Sequence, residues 1–342
     1  MLSDIARETF GETGPIVVTP MPGGASTRKF ARVTGSSGRS AVAMYVPEAH
    51  GSDEIVKLTA QQTRWPFLEI RDLLAQRGIR VPAILREACG DGLLLVEDLG
   101  DQTLAVALEQ YPYLRTRLYQ TAVSDLVVAQ QSLLELPVGS VVRKRRFDCD
   151  LLRWEVEHFR EWALLARGLE LSKAQDAVFA QASTFLAETI AAFTPSFVHR
   201  DYQSRNIMVR FAQDGEFELY WIDFQDALLG PRTYDLVALL GDSYQTFDQA
   251  FIDARLAEFA CLSKLDDLSQ AQLRYEFDLV TVQRKLKDAG RFIFIDREKN
   301  NPSFLGFVEP TIDKVMAALE RLKDDPLLRR LSEVLFDVLR RF

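Results

Sequence analysis

The sequence lacks any long apolar run. A membrane-spanning helix needs roughly 18 consecutive apolar residues, and stretches such as Leu93–Val96 and Phe292–Ile295 are far shorter. The segment Met1–Glu8 carries acidic residues where a signal peptide would carry an apolar core. We therefore expect a cytoplasmic protein with neither a membrane span nor a secretion signal.

Cysteine is also scarce. The 342 residues include three cysteines, Cys89, Cys149 and Cys261, which lie far apart along the chain. An odd number without a Cys-x-x-Cys pair argues against both a disulfide framework and a paired-cysteine metal site. Buried thiols in a reducing cytoplasm are the simplest interpretation.

Positive charge is in the minority. The chain has 41 Lys and Arg residues against 49 Asp and Glu residues, a formal net charge of −8. This balance argues against a surface built to bind nucleic acid or an anionic membrane. The basic run Arg143–Arg146 is short and contains no aromatic residue, so we interpret it as a solvated loop. A small anionic substrate is still compatible, since a local basic pocket can coexist with an acidic exterior.

The length allows two domains or lobes, and the residue pattern changes near Gly100. Before that point, short apolar runs bounded by turn residues predict a sheet with one inserted helix over residues 54–77, interrupted at Pro66. The predicted strands are Ile16–Thr19, Lys29–Thr34, Ala41–Val46, Ala83–Glu87 and Leu93–Glu97. After Gly100, apolar spacings of three and four predict helices at Leu104–Glu109, Leu114–Leu136, Leu151–Ala166, Lys173–Phe193 and Leu327–Phe342, and again from Thr233 onward. We predict an α+β fold with a small sheet lobe over residues 1–98 and a mainly helical lobe over residues 99–342.

The candidate catalytic residues lie in one segment, residues 199–223. His199-Arg200-Asp201 with Asn206 fits the pattern H-R-D-x-x-x-x-N, in which the Asp accepts a hydroxyl proton and the Asn holds a metal. Two apolar runs, Ile207–Val209 and Glu218–Ile222, flank a turn and predict a hairpin. A hairpin returns the chain to its starting point, so Asp223 is expected beside Asn206. Phosphoryl transfer from a nucleotide needs this set, with Asp201 as the general base and oxygens of Asn206 and Asp223 as ligands for Mg²⁺.

This arrangement resembles the aminoglycoside phosphotransferase family, within the protein-kinase-like two-lobed fold, over nearly the whole chain. Further stretches resemble the bacterial kinases that phosphorylate N-acetylmuramate and N-acetylglucosamine at C1 during peptidoglycan recycling. These stretches are Ala25-Ser26-x-Arg28-x-Phe30-x-Arg32, Leu93–Gly100, Leu151-Leu152-Arg153-x-Glu155-Val156-Glu157, Glu161-Trp162, Asp223-Phe224-Gln225-Asp226-Ala227, Gly230-Pro231-x-Thr233-Tyr234-Asp235 and Val282-Gln283-Arg284-x-Leu286-Lys287.

The resemblance implies ATP and Mg²⁺ as cofactors and places further residues. A loop over Pro22–Thr27, with Gly23, Gly24, Ala25 and Ser26, would approach the nucleotide phosphates through backbone N–H groups. The backbone of Glu97 and Leu99 would hydrogen-bond adenine. Asp235 matches the family's buried acid that steadies the catalytic loop, and we assign His199 to the same supporting layer.

One departure from the kinase pattern concerns a lysine. Kinase-like folds usually hold the α- and β-phosphates with a lysine on the third strand, but the run Ala41–Val46 offers Met44 and no lysine. We hypothesise that Arg28 or Arg32, alternate residues on one face of the second strand, supplies the missing charge. The alternative is that both arginines are solvated.

The acceptor is expected to be a small molecule. Gly230-Pro231 follows Asp223 so closely that no activation segment for a protein substrate fits between them. Arg284 and Lys287 share a helix face and would suit a lactyl carboxylate, and Trp162 would stack on a sugar ring. Against this, Arg284 and Lys287 could be exposed charges or ion-pair partners, and Trp162 could belong to the core. The predicted substrate-binding residues are Arg153, Glu155, Trp162, Arg205, Asp226, Arg284 and Lys287.

Several alternatives stay open at this point. One alternative is another small-alcohol kinase, acting on an aminoglycoside or choline. A cationic aminoglycoside would suit the acidic residues Asp148, Asp150, Glu155, Glu157 and Glu161. A catalytically inactive nucleotide-binding scaffold, suggested by the missing lysine, is another. The main prediction is a monomeric, ATP-dependent sugar kinase with no nucleic-acid or membrane partner.

Overall fold

The computed structural model describes residues 1–21, 28–45 and 65–340. The predicted phosphate loop (Gly23, Gly24, Ala25, Ser26), the first part of the predicted helix over 54–77 and Phe342 lie outside the described residues. The strands, in chain order, are β1 (Val17–Pro20), β2 (Lys29–Thr34), β3 (Ser40–Tyr45), β4 (Ile84–Ala88), β5 (Leu93–Glu97), β6 (Pro195–Val198), β7 (Ile207–Phe211), β8 (Phe217–Trp221) and β9 (Leu228–Pro231). The α-helices are α1 (Leu2–Phe10), α2 (Pro66–Gln76), α3 (Leu104–Gln110), α4 (Arg115–Ser132), α5 (Val141–Lys144), α6 (Cys149–Phe159), α7 (Lys173–Ala191), α8 (Tyr234–Leu240), α9 (Gln249–Leu262), α10 (Asp267–Lys299), α11 (Val308–Arg321) and α12 (Pro326–Leu339).

The chain forms two compact units. The first unit contains Met1–Thr103 and Ile207–Asp226, and the second contains Leu104–Asn206 and Ala227–Phe342. The β7–β8 hairpin therefore groups with the N-terminal sheet, although it follows the predicted catalytic residue Asp201 in sequence. The lobe boundary between residues 98 and 99 stays a prediction.

The first unit is organised around a five-stranded antiparallel sheet in the order β1-β2-β3-β5-β4. Strand β2 alternates, with Ala31 and Val33 buried and Phe30 and Arg32 on the opposite face. The buried residues pack with Phe10 of α1, a helix that the sequence analysis did not predict. The turn between β2 and β3 contains Gly38 at φ +85°, a conformation that glycine adopts without strain.

The hairpin of β7 and β8 pairs in regular antiparallel register, from Ile207 opposite Trp221 to Phe211 opposite Phe217. Gly215 supplies the left-handed turn position at φ +84°. Backbone hydrogen bonds tie the hairpin to the N-terminal part of its unit, since the Trp221 N–H donates to the Arg80 carbonyl at 2.9 Å. The predicted hairpin is thus confirmed, and β8 delivers the chain directly to Asp223.

The second unit is mainly helical, and the 33-residue helix α10 packs against α6 and α11. Helix α6 continues into one π-helical turn over Arg160–Leu164, where the sequence predicted an uninterrupted α-helix to Ala166. A short antiparallel pair, β6 with β9, was also missed; it aligns Phe197 with Leu229 and leads into the catalytic loop. The helix predicted at the end of the chain is present as α12, and its apolar residues Leu328, Leu331, Leu335 and Val338 are buried.

The fold class is confirmed, with a small antiparallel sheet and a mainly helical remainder. Within the described part of the chain, no helix combines the length and the apolar character needed to cross a membrane.

Close contact between α6 and α10 depends on Gly290. A Cβ at this position would lie 2.7 Å from the His158 carbonyl oxygen and 2.8 Å from the Phe159 Cα. We expect Gly290→Ala to lower the free energy of unfolding by about 1–3 kcal/mol, because the backbones must separate. Urea denaturation followed by circular dichroism measures this. Gly139→Ala, where a Cβ meets open space, is the control and should change stability by less than about 0.5 kcal/mol. Stabilisation of the Gly290→Ala protein, as helix propensity alone predicts, would contradict the packing argument.

Candidate active site

The predicted catalytic loop, residues 199–206, begins where β6 ends. Its first two backbone N–H groups, of His199 and Arg200, donate to the Asp235 carboxylate at 2.6 and 3.0 Å. Asp235 lies in the first turn of α8 and is fully buried. Burial raises the pKa of this carboxyl to about 7, although the two backbone donors and Arg284 act in the opposite direction. The predicted pairing of Asp235 with the catalytic loop is therefore present in the structure.

Arg200 has an unusual backbone conformation, with φ +82° in the left-handed region that non-glycine residues rarely adopt. Its buried side chain lies above the Phe147 ring and 3.5 Å from a Glu155 carboxylate oxygen. Glu155 is fully buried and also accepts hydrogen bonds from Gln283 at 2.8 Å and from the Tyr234 hydroxyl at 3.4 Å. Both carboxylate oxygens of Glu155 thus face protein donors, a placement that favours support of the loop; its predicted role in substrate binding stays a prediction.

Asp201, the predicted base, is the half-exposed member of the loop, with 39% of its side chain accessible. Arg284 from α10 donates to the Arg200 carbonyl at 2.7 Å and lies 3.4 Å from the Asp201 carboxylate. Burial alone would raise the pKa of the Asp201 carboxyl, but the charges of Lys287, Arg284 and Arg200 outweigh it and hold the pKa below its ordinary value. Asp201 is therefore an ionised carboxylate at neutral pH and is able to accept a hydrogen bond from an acceptor hydroxyl.

The loop closes in a tight turn onto Asn206. The Gln203 N–H donates to the Asp201 carbonyl at 2.9 Å, and the Asn206 N–H donates to the Gln203 carbonyl at 2.8 Å. The Asn206 side-chain Nδ2 donates to the same Asp201 carbonyl at 2.9 Å. Because the nitrogen is used in this way, the Oδ1 atom is the end of the amide left to act as a hard oxygen ligand.

Helix α10 contributes a compact set of charges. Arg284 is buried, and Lys287 lies 3.4 Å from the Asp288 carboxylate, which also pairs with Lys285 at 2.8 Å. Of the two alternatives for Arg284 and Lys287, ion pairing describes their contacts, and exposure is wrong for Arg284. Binding of a substrate carboxylate by this pair stays a prediction.

Three other predicted substrate-binding residues lie in the second unit. Trp162 is half-buried in the π-helical turn, edge-on to Phe294 with ring centroids 5.0 Å apart. Arg153 is exposed on α6. Arg205 is also exposed, and its guanidinium carbon lies 3.6 Å from the centroid of the Tyr244 ring.

Asp223, in the first unit, has φ +64°, so the second predicted metal ligand also occupies a left-handed position. Its carboxylate accepts hydrogen bonds from Arg28 at 3.2 Å and from Gln225 at 3.0 Å. The same guanidinium lies 3.7 Å from Asp226, a predicted substrate-binding residue. Arg28 therefore faces the carboxylates that follow β8, and its description as a solvated arginine is wrong.

Arg32 is engaged elsewhere. Its guanidinium donates to both oxygens of Asp98, at 2.7 and 3.1 Å, and to both oxygens of Asp101, at 3.2 and 2.8 Å. These bonds raise the pKa of Arg32 above its ordinary value. Its charge is thus balanced at the segment that follows β5, and of the two arginines only Arg28 contacts a predicted metal ligand.

The predicted adenine segment is partly occupied by internal contacts. The Glu97 side chain pairs with Arg210 and accepts the Ala83 N–H at 3.1 Å, and the Glu97 N–H donates to the Ala83 carbonyl at 2.8 Å. Among the described residues, none accepts a hydrogen bond from the Leu99 N–H. That donor is consistent with a role in holding a nucleotide base.

The predicted metal ligands are oxygen donors of the kind that Mg²⁺ prefers, and a bound substrate would have to complete its coordination shell. Within the described ranges, no group of three or more His, Cys, Asp and Glu side chains could hold a metal ion alone. The Asp223 carboxylate and the Asn206 amide oxygen are each of the kind that Mg²⁺ binds together with phosphate oxygens and water, and their shared role as metal ligands stays a prediction.

Sequence reasoning missed one buried acid in this region. The Asp242 carboxylate accepts hydrogen bonds from the Ser204 N–H at 2.9 Å, the Ser204 hydroxyl at 2.5 Å and the Tyr244 N–H at 2.9 Å. The signal available was an acid placed directly after the apolar helix α8 and Gly241. Nothing in the spacing links that acid to Ser204.

Comparison with known proteins gives consistent matches. A model of the phosphotransferase enzyme family matches residues 17–273. The chain is 30% identical over 338 residues to the N-acetylmuramate/N-acetylglucosamine kinase of Pseudomonas aeruginosa, covering 96% of this chain and 90% of that protein. The protein of the same name from Pseudomonas putida is 31% identical over 316 residues, 90% of this chain and 85% of that protein. The solved choline kinase of Cryptosporidium parvum shares the fold, with a TM-score of 0.59 and 13% identity over 98% of this chain and 99% of that chain.

The contacts of Asp235 predict a structural cost. We expect Asp235→Ala to lower the free energy of unfolding by about 2–4 kcal/mol, because two buried N–H groups lose their acceptor. Hydrogen exchange should then be faster at the amides of His199 and Arg200, measured by mass spectrometry after urea denaturation has given the stability. Asp248→Ala, which removes an exposed N-cap of α9, is the control and should cost about 1 kcal/mol without changing exchange at the loop. Unchanged protection of the two amides in the Asp235→Ala protein would contradict the assignment.

Proposed function

Because this chain belongs to the phosphotransferase enzyme family, we propose that it is an ATP-dependent kinase that phosphorylates the anomeric hydroxyl of N-acetylmuramate and N-acetylglucosamine. The resemblance noted in the sequence is confirmed by the family match. The observation that carries the proposal is the 30% identity to a kinase of that name over 96% of the chain. A cytoplasmic, monomeric enzyme of peptidoglycan recycling is the setting that we propose for it.

In this reaction Asp201 orients the acceptor hydroxyl and takes its proton. Its carboxylate is ionised, because the cations around it lower its pKa. An anomeric hydroxyl is more acidic than an ordinary alcohol, and the transition state of phosphoryl transfer is loose. A carboxylate that positions the nucleophile is therefore sufficient. The bond from the γ-phosphorus to the oxygen that bridges it to the β-phosphate breaks, ADP leaves, and the hydroxyl proton moves to Asp201 as the new bond to phosphorus forms.

The metal ligands in this proposal are the Oδ1 atom of Asn206 and the carboxylate of Asp223. Bound Mg²⁺ would neutralise charge on the phosphate oxygens of ATP. Arg28 holds the Asp223 carboxylate through a hydrogen bond of 3.2 Å and adds a positive charge beside it. This contact makes Arg28 our candidate for the charge that the third strand lacks.

Nucleotide binding in this proposal uses the segment that follows β5. The Leu99 N–H and the Glu97 backbone would hydrogen-bond the base, and Arg32 would keep that segment in place through Asp98 and Asp101. Arg32 then acts on ATP binding through the protein backbone rather than by contact with phosphate.

The function is tested with a panel of acceptors. We expect the purified protein, with ATP and Mg²⁺, to phosphorylate N-acetylmuramate and N-acetylglucosamine but not kanamycin or choline, and ³¹P NMR to show a phosphate at C1. Asp201→Asn should lower kcat by about 10²- to 10⁴-fold with little change in KM, because the base is lost. Asp337→Asn, an exposed substitution on α12, is the control. Phosphate on kanamycin alone would overturn the proposal, and ATP binding without turnover of any acceptor would favour an inactive scaffold.

The two arginines are separated by a second experiment. We expect Arg28→Ala to raise the KM for Mg·ATP by about 10-fold and to lower kcat, because a predicted metal ligand loses its charged partner. Arg32→Ala should change kcat little and should mainly lower thermal stability, because Asp98 and Asp101 lose their shared partner. Titration of ATP at several Mg²⁺ concentrations measures both effects. Unchanged KM and kcat in the Arg28→Ala protein would show that Arg28 does not replace the lysine.

A further inference from the structure

The two proposed acceptors differ by one charge. N-acetylmuramate carries a lactyl carboxylate, whereas N-acetylglucosamine is neutral, so a cation at the acceptor would favour the first sugar over the second. A useful cation must be accessible and must not be neutralised by a protein carboxylate, because a paired charge gains little from a second anion.

The cations of α10 do not meet that requirement. Arg284 is buried and bonded to the Arg200 carbonyl at 2.7 Å, and Lys285 is buried and paired with Asp288 at 2.8 Å. Lys287 has 15% of its side chain exposed and lies 3.4 Å from Asp288. Arg284 thus bonds the catalytic loop, and Lys285 and Lys287 pair with Asp288.

Arg205 meets it. It belongs to the catalytic loop, four residues after Asp201 and directly before Asn206, and it is exposed. In the part of the chain that the structure describes, no carboxylate forms an ion pair with it. Its guanidinium instead lies over the Tyr244 ring, 3.6 Å from the centroid, with the Phe307 ring centroid at 5.5 Å.

Stacking defines which part of the guanidinium is available. A guanidinium that lies over an aromatic ring uses its face for that contact and keeps its N–H edges for acceptors in its own plane. Two parallel N–H groups match the two oxygens of a carboxylate, which gives a bidentate pair with a defined direction. The stacked group is therefore better suited to a carboxylate than a freely rotating arginine would be.

The ring beneath Arg205 is itself held firmly. The Tyr244 N–H donates to the Asp242 carboxylate at 2.9 Å, and the same carboxylate bonds Ser204, the neighbour of Arg205. Lys314 from α11 donates to the carbonyls of Asp242 and Gln245, the latter at 2.8 Å. The Tyr244 ring also packs edge-on to Phe307 with centroids 4.8 Å apart. The loop and the aromatic support are thus fixed by the same buried acid.

We propose that Arg205, stacked on Tyr244, binds the lactyl carboxylate of the acceptor and selects N-acetylmuramate over N-acetylglucosamine. This inference rests on the proposed function and deepens it by assigning the discrimination between the two sugars to one residue. Tyr244 acts as a positioning residue, since it orients Arg205 and needs no contact with the sugar.

The test compares both sugars in wild-type and variant proteins. We expect Arg205→Gln to lower kcat/KM for N-acetylmuramate by about 10- to 100-fold, the range for loss of a hydrogen bond to a charged group, and to change the value for N-acetylglucosamine by less than about 3-fold. The KM for ATP should not change. Tyr244→Leu should give a smaller loss of the same selectivity, and Tyr244→Phe, which keeps the ring, should behave as wild type. Rising salt should lower kcat/KM for N-acetylmuramate in the wild type and have much less effect in Arg205→Gln.

The matched control is Arg340→Gln. Arg340 is another exposed arginine stacked on an aromatic ring, 3.9 Å from the Phe336 centroid, outside the catalytic loop, and its loss should leave both sugars unaffected. Equal losses on the two sugars, an unchanged preference, or a rise in the ATP KM in Arg205→Gln would overturn the inference and leave the proposed function in place. A wild-type protein that phosphorylates neither amino sugar would overturn the proposed function, and the inference would fall with it.

Discussion

The catalytic loop depends on one buried carboxylate. Asp235 receives the N–H groups of two successive residues, His199 and Arg200, and so fixes the peptide that precedes Asp201. The second of these residues is held at a positive φ, a conformation that costs a non-glycine residue roughly 1–2 kcal/mol. Two buried hydrogen bonds to the Asp235 carboxyl, each contributing about 0.5–1.5 kcal/mol or more, are enough to offset that strain. The position of Asp201, the proposed base, thus depends on backbone contacts of the two residues that precede it.

The opposite edge of the same peptide is held by a different element. Arg284 of α10 donates to the Arg200 carbonyl, and Asp235 of α8 accepts the Arg200 N–H. Side chains from two helices therefore bind both backbone polar groups of Arg200. The Arg200 side chain is directed to Glu155 of α6. Each of these partners is buried. The cations Arg200 and Arg284, together with Lys287, hold the pKa of the Asp201 carboxyl below its ordinary value.

Local patterns in the sequence were sufficient for much of the fold. The alternation of β2 and the apolar run of β5 gave the observed bounds, and the Asp214-Gly215 turn gave the hairpin that leads to Asp223. Strands β6 and β9 were missed because each has four residues and pairs only with the other, with the predicted hairpin between them in sequence. The pairing that makes them strands joins segments far apart in the chain.

The candidate site was predictable to the extent that it follows from spacing. The residues Asp201, Asn206 and Asp223 are read from a motif and a hairpin, and Asp235 from a resemblance. Spacing could not tell Arg28 from Arg32, because the acids that distinguish them lie far along the chain, at 223 and 226 for one and at 98 and 101 for the other. It placed Arg284 and Lys287 on one face of a helix but could not show that Arg284 would be buried against the catalytic loop. The aromatic support of Arg205 has no local signal either, since Tyr244 and Phe307 are brought to it by tertiary packing.

Helix α10 joins three of these features along one rigid rod. Arg284 holds the catalytic loop, Gly290 lets the helix approach α6, and Phe292 belongs to the aromatic cluster that includes Tyr244. Each residue added to or removed from an α-helix turns everything beyond it by about 100°. A single insertion between Arg284 and Gly290 would therefore leave the loop contact in place but turn the glycine and the aromatic residues away from their neighbours. Over this stretch the helix can exchange side chains but cannot change its length, and natural variation in length should be confined to its exposed C-terminal end and the loop beyond it.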